Sequence, residues 1–281
     1  MLKLGSKLLL IPAFLIITLF VISVPSFAQS LSVDIKFVNH PQASFPEQDV
    51  FVNKNGQAFR LEASEATQPA NPSLPVYKSA QMVEHDPFKM GQTPLGPFTL
   101  GEALGFTMGD WLAGTGSGTY TVNGDNAKIN LSLQKLVPNS TYTVWCSRLT
   151  FPPNVKVVDR PCGKEDGSEN VFKTDASGNG SFDLNLKPLE ESTKETASLI
   201  ALAYHSDGKT YGSVPGEFGN KTHVQLFFPL PAKEAIAAEG TSLPAASTET
   251  TSGIANWIWW LLGGIVVIAI FWWFMKRSRG V

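Results

Sequence analysis

The residues best suited to chemistry in this chain of 281 residues are its four histidines, its two cysteines and one oxygen-rich turn. His205 follows the apolar run Ala197 to Tyr204, and His223 opens the run that ends at Phe228. Two imidazoles at one edge of a sheet, joined by a thiolate and a thioether, form a donor set that holds copper. Such sites gather Cys, His and Met on one short loop, and no such run occurs here. His205 and His223 therefore define only an alternative reading, a membrane-tethered metal-binding or redox protein. The remaining histidines, His40 and His85, sit in no ligand pattern.

Cys146 and Cys162 match neither a CxxC redox pair nor a zinc spacing. A bond between them closes a loop of about 15 residues and stabilises by ~3 kcal/mol in the chain-entropy account. A structural disulfide is expected. Asp175, Ser177 and Asn179 present oxygens at alternate positions with Gly180 sixth, as in a calcium loop, but the twelfth position is Leu186 where a bidentate glutamate is required. A plain turn is expected instead. Gly114 to Gly118 lacks the Lys-Ser/Thr of a phosphate loop, and a flexible loop is expected there. GxSxG is absent. The sequence names no catalytic residue and calls for no cofactor. Four Asn-X-Ser/Thr sequons, at Asn130, Asn139, Asn179 and Asn220, are open to N-glycosylation, with Asn179 and Asn220 in the more turn-like contexts.

The elements that carry these residues read as strands. Thr119–Val122 and Ala127–Leu133 alternate on either side of Asn123-Gly124, a strong hairpin signal. Tyr142–Cys146 is a further strand. Val171–Thr174 and Ser181–Leu186 are expected to pair as a second hairpin around the Asp175 turn. Ala197–Tyr204 suits a buried central strand, and His223–Phe228 is the last one. Gly101–Leu112 suits a short helix or turn. Upstream, Leu31–Val38 and Val50–Val52 are strand-like and could pair as a hairpin, followed by a proline-punctuated arm to residue 97. Short strands at this spacing predict an all-β protein, a β-sandwich over residues 98–231 with an N-terminal hairpin and arm over 29–97.

Leu136-Val137-Pro138-Asn139-Ser140-Thr141-Tyr142-Thr143-Val144 resembles the tyrosine-corner region of fibronectin-III and immunoglobulin-like sandwiches. The resemblance covers about ten residues and departs from the family in position, since about 90 residues follow Tyr142 before the stalk. It implies that Pro138 makes the turn, that the Tyr142 hydroxyl bonds back to the backbone just upstream, and that the sandwich is an extracellular one used for contact or display.

Two hydrophobic segments say where the protein works. Lys3 and Lys7, the apolar core Leu8 to Val24, and Ser26-Phe27-Ala28 form a secretory signal over residues 1–28. Ile254–Phe274 carries no charge and reaches ~30 Å at ~1.5 Å per residue, enough to span a bilayer once. Trp257, Trp259 and Trp260 at one end, and Trp272 and Trp273 at the other, are placed for the two interfaces. Lys276, Arg277 and Arg279 mark residues 275–281 as the cytoplasmic tail. Residues 232–253, rich in Ala, Ser, Thr and Pro, read as a flexible stalk. The chain has 22 basic and 24 acidic residues; setting aside the five basic ones in the terminal segments leaves the ectodomain 17 basic and a net charge of −7. That balance argues against nucleic acid as a partner. The expected function is that of a single-pass cell-membrane protein, non-enzymatic, displaying a β-sandwich to an extracellular protein or carbohydrate. The stapled segment Arg148 to Arg160, with Leu149, Phe151 and Val155, is a candidate contact loop. N-terminal sequencing of the protein recovered from membranes is expected to begin at Gln29; a chain retaining Met1 would overturn the cleaved signal.

Overall fold

The computed structural model of the protein describes residues 30–39, 49–61, 65, 69, 71–83, 94–151 and 156–232. The expected signal peptide, almost all of the expected stalk, the expected membrane segment and tail, His40 and His85 lie outside the described residues. Among the described residues no helix is long and apolar enough to cross a membrane. The chain up to Lys233 forms one unit.

Among the described residues that unit is mostly β, with one short helix whose bounds are described. Its strands are β1 (Leu31–Lys36), β2 (Val38–Asn39), β3 (Val52–Lys54), β4 (Gln57–Phe59), β5 (Pro75–Ser79), β6 (Phe98–Thr107), β7 (Thr115–Asn123), β8 (Asn126–Gln134), β9 (Thr141–Thr150), β10 (Lys156–Val158), β11 (Val171–Lys173), β12 (Gly180–Leu186), β13 (Thr196–His205) and β14 (Thr222–Pro229). Helix α1 (Met108–Leu112) follows β6 directly, started by a capping box between Thr107 and Asp110. The first sheet has the order β1-β7-β8-β12, and the second β10-β9-β13-β14-β2 with β11 also on β9. All of these ladders are antiparallel.

The strand pattern explains which sheet is which. In β8 and β12 buried and exposed residues alternate, so the first sheet shows one face to solvent. Ile129, Leu131, Leu133, Phe182 and Leu184 supply its inner face. Most residues of β9 and β14 are buried, as is the second half of β13, because the second sheet is covered on both faces. The inner faces meet where Phe172 of β11 packs 6.3 Å from Phe182 of β12. β13 sits between β9 and β14, the central place its apolar run predicts.

The hairpin at Asn123-Gly124 forms as read, with Asn123 opposite Asn126. Of its two central residues only Gly124 has positive φ, the pattern of a type II′ turn. The second expected hairpin does not form. β11 pairs with β9 and β12 with β8, so the turn between them carries the chain from one sheet to the other. Asp175 sets that turn, its carboxylate accepting from the backbone N–H groups of Ser177 and Asn179, both at 2.8 Å.

The expected N-terminal arm is corrected in the same way. β1 pairs with β7 and β2 with β14, so one extended segment serves both sheets, crossing at Phe37. Val33, Ile35 and Phe37 are buried, and that burial overrides a local hairpin with Val50–Val52. β3 instead pairs with β4 across the turn at Asn55-Gly56. A third sheet, β3-β4-β6-β5, occupies residues 52–107, and backbone pairing of Phe51 with Tyr77 brings its first strand back to its last. The boundary expected at residue 97 is therefore no boundary: β6 belongs with β3 to β5. Gly101 to Thr107, expected as helix or turn, continues β6, and only Met108 onward is helical.

Gly114–Gly118 is likewise not a flexible loop but largely the start of β7, with Gly116 opposite Leu133 and Gly118 opposite Leu131. A Cβ on Gly118 would lie 2.0 Å from the carbonyl oxygen of Asn130, and one on Gly116 2.5 Å from Leu133 and 2.9 Å from Phe37. The glycines are the only residues that let β7 lie this close to its neighbours. Gly118→Ala is expected to destabilise the fold by about 1–3 kcal/mol through overpacking, read as a lower urea midpoint; an unchanged midpoint would contradict the close approach.

Candidate functional site

The candidate chemistry gathers at one end of the second sheet, where β13 and β14 are joined by residues 206–221. β14 begins there with Thr222, His223 and, two residues on, Gln225, each fully buried. In the register His205 lies opposite Thr222 and His223 opposite Tyr204. Directly opposed residues share a face and successive residues alternate. The two histidines therefore point to opposite faces of the sheet and do not converge.

Each imidazole is held by its own partners. Trp145 Nε1 donates to Thr143 Oγ1 at 2.7 Å, which leaves the Thr143 hydroxyl proton for His205 Nε2 at 2.8 Å. On the other side Thr222 gives its proton to the Pro215 carbonyl at 2.6 Å and faces His205 Nδ1 at 3.5 Å. His223 Nδ1 donates to the backbone carbonyl of Asp49 at 2.6 Å, and its Nε2 accepts from Ser206 Oγ at 3.0 Å. The Asp49 carboxylate also accepts from Val224 N at 2.7 Å. Desolvation pushes both imidazoles down to about 4, against the opposing pull of Asp207 on His205 and of Asp49 on His223. Both are neutral near pH 7, with the proton on Nδ1.

The connection over this end is itself bonded. The Tyr211 hydroxyl donates to the Asp207 carboxylate, and Tyr211 stacks at a tilt 5.9 Å from His205. Burial and then the Asp207 contact raise the Tyr211 hydroxyl, so it remains protonated. Glu217 accepts from Asn220 at 2.7 Å and pairs with Lys221 at 3.0 Å. Phe218 packs against the cluster of Trp145, Ala203 and Val224.

Ser206, His223 and the Asp49 carbonyl form a hydroxyl–imidazole–carbonyl chain. It has the connectivity of a nucleophile and its base. A base held near 4 takes up little proton from a serine at neutral pH, and His223 is closed off from solvent. Among the described residues no three His, Cys, Asp or Glu come together as a metal site.

Gln225 anchors the neighbouring corner. Tyr142 Oη accepts from Val137 N at 3.0 Å and donates to Gln225 Oε1 at 2.7 Å, while Gln225 Nε2 donates to the Trp111 carbonyl at 2.8 Å. Burial raises the Tyr142 hydroxyl well above its ordinary range, so it stays a donor. Pro138 is exposed at the turn, next to Asn139 at φ 50. An open groove of about 580 Å³ lies nearby, lined by Ser132, Gln134, Lys173, Asp175, Asn179 and Ser181 among others.

Cys146 and Cys162 are bonded to each other. The staple holds residues 160–162 along β9, with Cys146 N donating to Arg160 O at 2.8 Å and Cys162 N to Val144 O at 3.1 Å. Arg148 and Leu149, expected in a contact loop, belong to β9. Arg148 is tied down by the Glu191 carbonyl at 2.8 Å and Ser198 Oγ at 2.9 Å. Residues 152–155 lie outside the described residues.

Sequence reasoning missed Asp49, Thr143, Ser206 and Gln225. Gln225 carried a signal, a lone amide inside an apolar run. Asp49 carried none, since its partners lie 174 and 175 residues away. No family model matches the chain, and neither a curated protein nor a solved structure is similar to it.

The buried imidazoles generate a pH dependence. Their folded pKa values lie below the unfolded value of about 6.5, so the unfolded chain binds more protons between about pH 4 and 6.5, and stability falls as pH drops through that window. A depression of this size is worth up to ~3 kcal/mol per imidazole. Exposed carboxylates with lowered pKa, such as Asp175 and Asp183, act only below about pH 4. Denaturant unfolding at pH 7 and pH 5 is expected to show the loss, and His223→Gln to flatten the slope; a flat wild-type profile would show that the imidazoles are not desolvated.

Proposed function

We propose that the protein is a non-enzymatic, single-pass membrane protein that displays its β-sandwich outside the cell, where it binds an extracellular protein or carbohydrate. The observation that carries this is the internal use of its chemical groups. The two imidazoles reached by sequence reasoning point to opposite faces and are held by Thr143, Ser206 and Asp49; both cysteines are spent on a disulfide, the form that persists in oxidising compartments. The secretory signal, the uncharged tryptophan-flanked span and the basic tail support the location. A joint copper or zinc site at His205 and His223 has no support in their placement.

The ends of the strands favour one pole for contact. β14 runs from Thr222 to Pro229, and the chain continues from the Pro229 end. The turn at Pro138-Asn139, the Asp175 turn and residues 206–221 all sit at the other end, where Thr141, Lys173, His205 and Thr222 are neighbours in register. The polar groove opens there too. Loops on a rigid sheet scaffold are the usual carriers of recognition.

The test has two parts. Protease treatment of intact cells is expected to release the ectodomain. Cells displaying the full chain are expected to adhere to polysaccharide or protein from their own surface layer, and Lys173→Glu with Gln134→Ala to lower adhesion at least fivefold without changing surface level. Ester or amide turnover lost in Ser206→Ala, with adhesion unaffected by the groove changes, would overturn the proposal.

A further inference from the structure

We propose that Asn139 is a glycosylated residue of this protein, carrying an N-linked glycan at the pole of the sandwich, and that the other three described sequons are not comparable acceptors. This rests on the secretory reading above. The sequence favours Asn179 and Asn220 as the more turn-like positions; the structure reverses that order.

Three of the four carboxamides are already engaged. Asn130 lies in mid-strand on β8 and its Nδ2 donates to Asp183 at 2.8 Å, on the carboxylate that also holds Lys128 at 2.9 Å. Asn179 Nδ2 donates to Asp175 at 3.2 Å, within the turn that carries the chain between sheets. A glycan there would also fill the groove that Asn179 lines. Asn220 is half-buried and its Nδ2 donates to Glu217 at 2.7 Å. A sugar on any of these takes one of the two Nδ2 hydrogens and crowds a native contact.

Asn139 differs in its carboxamide, while sharing its exposure with Asn130 and Asn179. It is exposed, it sits at the tip of the β8–β9 turn with φ 50, and among the described residues no hydrogen bond holds its side chain. Its backbone is secured independently, by Asn139 N donating to Asp175 O at 2.9 Å and by the Ser140 hydroxyl on Pro138 O at 2.9 Å. The side chain is thus presented from a fixed backbone, with nothing to lose on modification. Position +2 is Thr141, the first residue of β9. Asparagine is among the few residues that take a left-handed conformation readily, so the turn itself accounts for the residue type without excluding the second use.

The reaction balances with a lipid-pyrophosphate-linked oligosaccharide as the donor. Asn139 Nδ2 forms a bond to the anomeric carbon, the bond from that carbon to the pyrophosphate oxygen breaks, and one amide proton leaves with the lipid pyrophosphate. No electrons are exchanged.

The experiment uses the full chain made through the secretory route of a host that performs N-glycosylation. Intact mass and peptide mapping are expected to show a glycan on Asn139, removed by Asn139→Gln and retained in Asn130→Gln, Asn179→Gln and Asn220→Gln. Asn139→Gln is expected to lower the unfolding midpoint only slightly, since glutamine takes the left-handed conformation at φ 50 less readily than asparagine. A chain that starts at Gln29 and is exposed on the membrane, yet bears no glycan on Asn139 or bears it on another sequon, overturns this inference while the secretory reading stands. A chain still starting at Met1 and not exported overturns both.

Discussion

The fold depends on the need to satisfy three buried polar side chains at the start of β14. Thr222, His223 and Gln225 sit where no water reaches, and leaving one unpaired costs about 1–3 kcal/mol. Their partners come from widely separated parts of the chain. Pro215 takes the Thr222 proton, Asp49 and Ser206 bracket His223, and Tyr142 and Trp111 bracket Gln225. Apolar contacts tolerate a shift of one element against another, whereas these bonds do not. They set where the segment before β3, helix α1, the tyrosine turn and residues 206–221 must lie.

A second constraint is closure. β1 and β2 are one extended segment divided between two sheets, joined by Phe37, whose N–H donates to Gly116 O at 2.9 Å. The inserted third sheet meets its own beginning through Phe51 and Tyr77, with Arg60 lying 5.8 Å and 5.2 Å from the rings of Phe51 and Phe98. A sheet that returns on itself leaves fewer backbone groups open to other chains. The insert is secured to the sandwich by Ser79 N on Gly219 O and Val83 N on Phe218 O. Residues 206–221 thus cover the outer face of the second sheet and bind the insert together.

These two constraints also bear on function. Groups that would do chemistry when exposed, the imidazoles, Asp49, Tyr142 and the cysteines, are consumed in fixing the architecture. What remains outward at the pole is mostly polar, with Val214 exposed among it, and is carried on bonded turns.

Much of this was legible in the residue order. Alternation marked β7, β8 and β12, the apolar run marked β13 as central, Asn123-Gly124 marked a hairpin, and two lone cysteines outside any redox or zinc spacing marked a disulfide. These are local signals, set by side-chain period, turn chemistry and composition. Partner choice was not legible. Nothing near Val171–Leu186 says that its two strands go to different sheets, and nothing near Leu31 says that it completes a sheet begun 84 residues later at Thr115. Nor does spacing reveal that His205 and His223 face apart, since that follows from a register set across β13 and β14. The sequence by itself determined most of the strands and the hairpin turn at Asn123-Gly124, because each rests on interactions within a few residues; only the tertiary structure decided the pairings and the fate of the buried polar side chains, because burial depends on what the rest of the chain brings alongside.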